Sequence, residues 1–150
     1  MGEREHLNGA ITQILREIKR CYQCGTCVSS CPVAKHEGRY NPRRILRRAQ
    51  LENLEPLIGS DVIWLCTTCY TCVDRCPQNV GTANLILELR RMSVRGRKLP
   101  EGFIKIIEEL KKDGYIYPID SINRRRERMG LPPIVVGKKE EFEKILEGII

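Results

Sequence analysis

Two runs of cysteine dominate this chain, "CYQCGTCVSSCP" at residues 21–32 and "WLCTTCYTCVDRCP" at residues 64–77. Both follow one spacing: Cys21, Cys24, Cys27, Cys31 and then Pro32; Cys66, Cys69, Cys72, Cys76 and then Pro77. All eight cysteines are used in this way. In C-x2-C-x2-C-x3-C-P, three cysteines of one loop hold one [4Fe-4S] cubane and the fourth reaches the other cluster. The proline contributes to this division, because it removes an amide and biases the preceding residue toward extended backbone, turning that sulfur away from its own loop. The spacing therefore predicts two [4Fe-4S] clusters with crossed ligands: Cys21, Cys24, Cys27 and Cys76 around the first, and Cys66, Cys69, Cys72 and Cys31 around the second.

Other uses of cysteine fit less well. Structural zinc takes four thiolates, but zinc modules usually present them as two separated pairs rather than two runs of four. A disulfide framework belongs to oxidising compartments. The polar, acidic opening "MGEREHLNGA" does not read as a signal peptide, and no apolar run approaches the ~18 residues of a membrane span. These features predict a cytoplasmic protein without a membrane span. No cysteine is left over for a catalytic thiol once two cubanes are filled. Aromatic residues make up only 5% of the chain, so the clusters would also organise a core that lacks large side chains. The formal charge of +7 counts every cysteine as neutral; eight cofactor-bound thiolates would offset much of it.

Around the runs the pattern is helical. Leu7, Ala10, Ile11, Ile14, Leu15 and Ile18 repeat at helical spacing, and Asn41 and Pro42 form a cap and first-turn proline ahead of Ile45, Leu46 and Ala49. Ser60 or Asp61 caps a short turn over 62–65, a helix covers 82–95 with Gly96 as its stop, and another runs from near Pro100 to Gly114 with Phe103, Ile106, Ile107 and Leu110 on one face. "SINRRRERM" forms a short helix closed by Gly130, "LPPIVVG" an extended linker, and Phe142, Ile145, Leu146 and Ile149 a last helical face. The only strand-like piece is 134–136. The expected fold is all-α, with a two-cluster domain over 1–98 and a helical extension over 99–150 that packs on the core and on partner subunits. Thr67, Thr68, Tyr70, Thr71, Tyr22 and Thr26, with the loop amides, are candidate tuners of the clusters and read equally well as turn and packing residues. His36 has no vacant metal position to fill.

The phrase "DVIWLCTTCYTCVDRCP", with "CYQCGTCVSSCP" and the late "RRRERMGLPP", resembles the small iron-sulfur C subunit of heterodisulfide reductase from methanogens and related archaea, over about residues 18–133. The cysteine runs are specific for the cofactor and weak for the partner; the Trp-Leu-Cys-Thr-Thr-Cys-Tyr-Thr-Cys phrase and the Gly-Leu-Pro-Pro tail narrow the choice. The resemblance implies an α-helical ferredoxin fold with the eight cysteines as ligands. It also implies a noncatalytic member of an oxidoreductase complex, relaying single electrons from the flavin-containing A subunit to the catalytic B subunit, which reduces the coenzyme M–coenzyme B heterodisulfide. A hydrogenase or formate dehydrogenase module would join through the larger complex.

Two other readings compete with this one. The same module serves sulfur-oxidising reductase-like complexes, succinate or glycerol phosphate dehydrogenases, and free ferredoxins. The arginines at 43–48, 90–97 and 124–128 would suit nucleic acid, but they lack the interleaved aromatics that single strands stack on, so no nucleic-acid partner is expected.

Overall fold

The computed structural model describes residues 2–96, 98–135 and 144, with side chains from residue 9 onward, Asp113 excepted. Every regular element among these residues is a helix, and Ile134 and Val135 form no strand. The chain divides into two units, Met1–Lys98 and Leu99–Ile150.

The first unit opens with α1 (Gly2–Ile18), whose apolar stripe ends in the fully buried Ile18, with Ile11, Ile14 and Leu15 packed on the same core. It begins well before Leu7, where the sequence stripe starts. Two short helices follow within the first cysteine run, α2 (Thr26–Ser29) and α3 (Pro32–His36). Pro32 suits the first position of α3, where an amide would be unpaired in any case. The preceding Cys31 is extended, at φ −78° and ψ 119°, and its Sγ caps the helix by accepting from the Ala34 amide at 3.5 Å. The expected effect of proline on its neighbour is thus present at Cys31.

Helix α4 (Pro42–Gln50) starts as its sequence signals: the Asn41 side chain accepts from the Arg44 amide at 2.9 Å and Pro42 takes the first turn. It buries Ile45, Leu46 and Ala49 and leaves Arg43, Arg44, Arg47 and Arg48 exposed. Helix α5 (Glu55–Ile58) buries Leu57 and Ile58, and Ser60 Oγ accepts from the Val62 amide at 3.2 Å to cap a 3₁₀ turn over Asp61–Leu65. After α6 (Thr71–Asp74) comes α7 (Thr82–Arg95), the central element, which packs against α1, α4, α5, α6 and the 3₁₀ turn. Its Leu85, Ile86 and Leu89 are wholly removed from solvent. Truncating any of the three to alanine would cost about 2–5 kcal/mol.

In the second unit, α8 (Glu101–Asp113) ends at Gly114, whose left-handed φ of 72° lets its amide return to the Leu110 carbonyl at 2.9 Å. Phe103, Ile104 and Ile106 of α8 are exposed. Helix α9 (Ile119–Arg128) starts two residues before the expected "SINRRRERM" segment and gives way to Gly130 at φ 69°. The segment Leu131 to Val135 then lies extended, as its two prolines require. It folds back on α9: the Asn123 side chain donates to the Ile134 carbonyl at 3.1 Å and accepts from the Ile134 amide at 2.7 Å, and Arg126 Nε donates to the Pro132 carbonyl at 2.8 Å. The expected last helical face, Phe142, Ile145, Leu146 and Ile149, lies outside the described residues.

Candidate metal centre

The two cysteine loops share one backbone. Gln23 (φ 64°) and Gly25 (φ 88°) in the first are matched by Thr68 (φ 56°) and Tyr70 (φ 60°) in the second, at the second and fourth positions after the leading cysteine. Left-handed backbone is open to glycine but costs other residues about 1–3 kcal/mol, and a β-branched residue such as Thr68 adopts it rarely. Such conformations turn neighbouring amides toward one concave side, which suits an anion. Accordingly the Thr68 amide donates to Cys66 Sγ at 3.4 Å. Each loop then runs into a short helix whose leading threonine contacts the middle cysteine, Thr26 Oγ1 at 3.3 Å from Cys24 Sγ and Thr71 Oγ1 at 3.5 Å from Cys69 Sγ.

The fourth cysteine of the second run lines a cavity with the first run. Cys21, Cys24, Cys27 and Cys76 line one cavity together with Gly25, Arg43, Leu46, Pro77 and Thr82. Cys76 Sγ accepts there from the Val80 amide at 3.2 Å. On the other side, the buried Tyr40 hydroxyl is hydrogen-bonded to Cys66 and lies beside Cys31 and Cys72. Cys69 is exposed at the loop edge. The two groups adjoin, since α2 packs on α6 and the Cys72 thiol feels that of Cys27. All eight cysteines are free.

Each loop is also pinned by one side chain from a following helix. Gln50, at the end of α4, donates to the carbonyls of Ile18 at 2.9 Å and Cys21 at 3.0 Å, and accepts from Gln23 at 3.0 Å. Arg90 of α7 donates to the carbonyls of Ile63, at 3.0 Å, and Cys66, and to Thr68 Oγ1 at 3.4 Å; its guanidinium lies over the Trp64 ring, 5.4 Å from the centroid. The carbonyls gripped are the same in both halves, those of the leading cysteine and of the residue three before it. The internal repeat is therefore wider than the cysteine runs and comprises loop, clamp and helix.

Position sets the acidity of the thiols. Burial, then the Cys21 and Cys24 thiols, pushes Cys27 up to about 11. Burial, then Cys66, pushes Cys72 up to about 11 as well. Exposed Cys24 and Cys69 are lowered instead, by hydrogen bonds from Thr26 and Thr71 respectively.

Four thiols spread around a cavity fit a cubane, in which each of four irons takes one thiolate. A single zinc ion needs all its sulfurs about 2.3 Å from one point, and among the described residues no three His, Cys, Asp or Glu side chains are grouped to hold one ion. The amide and hydroxyl donors aimed at sulfur fit an anionic group as well. Of the candidate tuners, Thr26, Thr71, Thr67 and Tyr22 reach Cys24 or Cys69 through side chains and Thr68 reaches Cys66 through its amide, whereas Tyr70 serves the loop by its left-handed backbone. Sequence reasoning missed Tyr40, Gln50, Thr82 and Arg90. The equal offset of Gln50 and Arg90 from the caps Asn41 and Gly81 was a signal for the clamps. His36 is exposed.

Residues 17–80 match the 4Fe-4S dicluster domain family. The C subunit of the ferredoxin:CoB-CoM heterodisulfide reductase of Methanosarcina mazei is 40% identical over 119 residues, 79% of this chain and 73% of the relative. The iron-sulfur C 2 subunit of the CoB--CoM heterodisulfide reductase of Methanocaldococcus jannaschii is 38% identical, over 88% of this chain and 72% of its own length. The C2 subunit of the H(2)/formate:CoB-CoM heterodisulfide,ferredoxin reductase of Methanococcus maripaludis is 35% identical, over 85% and 71%. With its iron-sulfur loops and helical frame, the chain belongs to the C-subunit family of CoB-CoM heterodisulfide reductases.

Proposed function

We propose that the chain is a noncatalytic electron-transfer subunit holding two [4Fe-4S] clusters, one on Cys21, Cys24, Cys27 and Cys76, the other on Cys66, Cys69, Cys72 and Cys31. It relays single electrons from the flavin-containing A subunit to the catalytic B subunit, which reduces the coenzyme M–coenzyme B heterodisulfide in the cytoplasm. A hydrogenase or formate dehydrogenase module supplies the electrons through the larger complex; the name of the Methanococcus relative gives H(2)/formate for that protein. The observation that supports this reading is Cys76 lining the cavity of Cys21, Cys24 and Cys27, and Tyr40 meeting Cys31, Cys66 and Cys72 alike agrees with it.

The bound clusters supply one-electron chemistry at potentials set by hydrogen bonds, charge and solvent access. The chain's own residues hold and shield them. Gln50 and Arg90 fix the loops, Tyr40 and the Thr68 amide donate to Cys66, and the packing of α2 on α6 makes the two sites neighbours, as a relay needs. Among the described residues no helix is long and apolar enough to cross a membrane. Partner contacts fall on Leu99–Ile150, supported by the exposed Phe103, Ile104 and Ile106 of α8.

Anaerobic isolation tests the reading. About eight iron and eight sulfide per chain are expected, with a paramagnetic signal after dithionite and no heterodisulfide reduction by the chain alone. Cys76→Ser should damage the centre of Cys21, Cys24 and Cys27. A zinc-loaded, colourless protein, or damage by Cys76→Ser confined to the centre of its own run, would overturn it.

A further inference from the structure

One wall of the first cavity is not explained by its cysteines. Thr82, the first residue of α7, is 1% exposed and lines the cavity of Cys21, Cys24, Cys27 and Cys76, yet its Oγ1 has no hydrogen-bond partner. A hydroxyl buried without a partner destabilises a fold, and native proteins leave few of them. Its partner is therefore to be sought among the atoms the cavity receives. Those atoms are sulfurs, thiolate or sulfide, all acceptors with no proton to give, whereas a threonine hydroxyl has one to donate.

The surroundings agree with this. Gly81 caps α7 without any side-chain bond, the Thr82 amide turns back to the Val80 carbonyl at 2.8 Å, and the neighbouring Val80 amide donates to Cys76 Sγ at 3.2 Å. The related site is built differently at this point. Helix α4 starts with Pro42 where α7 starts with Thr82, each directly after its N-cap. Proline has neither an amide hydrogen nor a hydroxyl, so this donor serves one site only.

Resting on the reading of this cavity as a cluster site, we propose that the Thr82 hydroxyl donates a hydrogen bond to a sulfur of the cluster held by Cys21, Cys24, Cys27 and Cys76, raising that cluster's reduction potential. Reduction adds negative charge to the cluster, so a donor stabilises the reduced form more than the oxidised form. Thr82 is thus a positioning residue that sets where the electron rests. The other cluster has Tyr40 at Cys66 and is untouched by Thr82.

The test compares the anaerobic full-length chain with Thr82→Val, Thr82→Ala and Thr82→Ser, by iron and sulfide count and by EPR-monitored redox titration of each cluster. Valine keeps the shape and removes the donor; serine keeps the donor. Thr82→Val is expected to retain iron while the reduced-to-oxidised ratio of one cluster, read at its wild-type midpoint, falls about tenfold, equivalent to about 59 mV for one electron. Thr82→Ser should stay near wild type. Unchanged potentials in Thr82→Val, or a shift in the cluster of Cys66, Cys69 and Cys72, would overturn the proposal. Loss of iron from both the valine and alanine variants with serine intact would show that the hydroxyl retains the cluster rather than tuning it, which also overturns it. Wild-type chain without iron-sulfur signals would instead defeat the cluster reading on which it rests.

Discussion

At the scale of single residues, the eight thiols are unequal before any iron arrives. Cys24 and Cys69 sit at the surface, hydrogen-bonded to threonine hydroxyls that lower their thiol pKa, whereas burial holds Cys27 and Cys72 in the thiol form up to about 11. In the cluster-free chain a small alkylating reagent near neutral pH should therefore label Cys24 and Cys69 first and Cys27 and Cys72 last. Peptide mapping over a time course checks the order. The same shifts give a pH dependence. For Cys27 and Cys72 the folded value lies above the reference of 9.0, so their contribution to stability is complete below about pH 9 and is lost as pH rises through about 11. Thermal melts of the cluster-free chain across that interval should fall; flat melting temperatures would contradict the assignment. On the proposed ligation both thiols would shed protons to bind iron, which would make loading less favourable at lower pH.

At the scale of elements, the repeated unit is a strained loop, a clamp and a helix, and the two clamps differ in charge. Removing Arg90 breaks charged hydrogen bonds to Ile63 and Cys66 and a contact with Trp64, whereas removing Gln50 breaks neutral ones to Ile18 and Cys21. Arg90→Met should thus destabilise the protein by about 2–4 kcal/mol and Gln50→Leu by about 1–2 kcal/mol, with Arg90→Met releasing iron from the second loop first. Denaturant titration with iron-release kinetics measures both effects. The sequence announced the cysteine spacing and the Asn41–Pro42 start of α4, because each is a local signal with a local cause. It was silent on α2, α5 and α6, four residues apiece, since so short a stretch carries no helical period. For Arg90 and Gln50 it held only their equal offset from the two caps, because their partners lie 22 to 32 residues away in the chain, where only packing brings them together. Tyr70 shows the same limit: nothing in a tyrosine advertises the left-handed backbone that Gly25 adopts in the other loop.

At the scale of the whole molecule, the cysteines all fall in Met1–Lys98, and most of the exposed large apolar side chains among the described residues fall in Leu99–Ile150, among them Phe103, Ile104, Ile106, Ile116 and Tyr117. A chain ending at Lys98 should keep its iron and lose capture of its partner subunits, as read by iron analysis and co-purification; loss of iron on truncation would place the second unit in the cofactor frame instead. The position of Cys76 also bears on how the protein is born. The loop of Cys21, Cys24 and Cys27 leaves the ribosome one thiol short, and the missing sulfur follows only when about half the polypeptide has been made. On the proposed ligation, iron delivered to the nascent amino-terminal loop would find an unfinished nest, and maturation would wait for both halves.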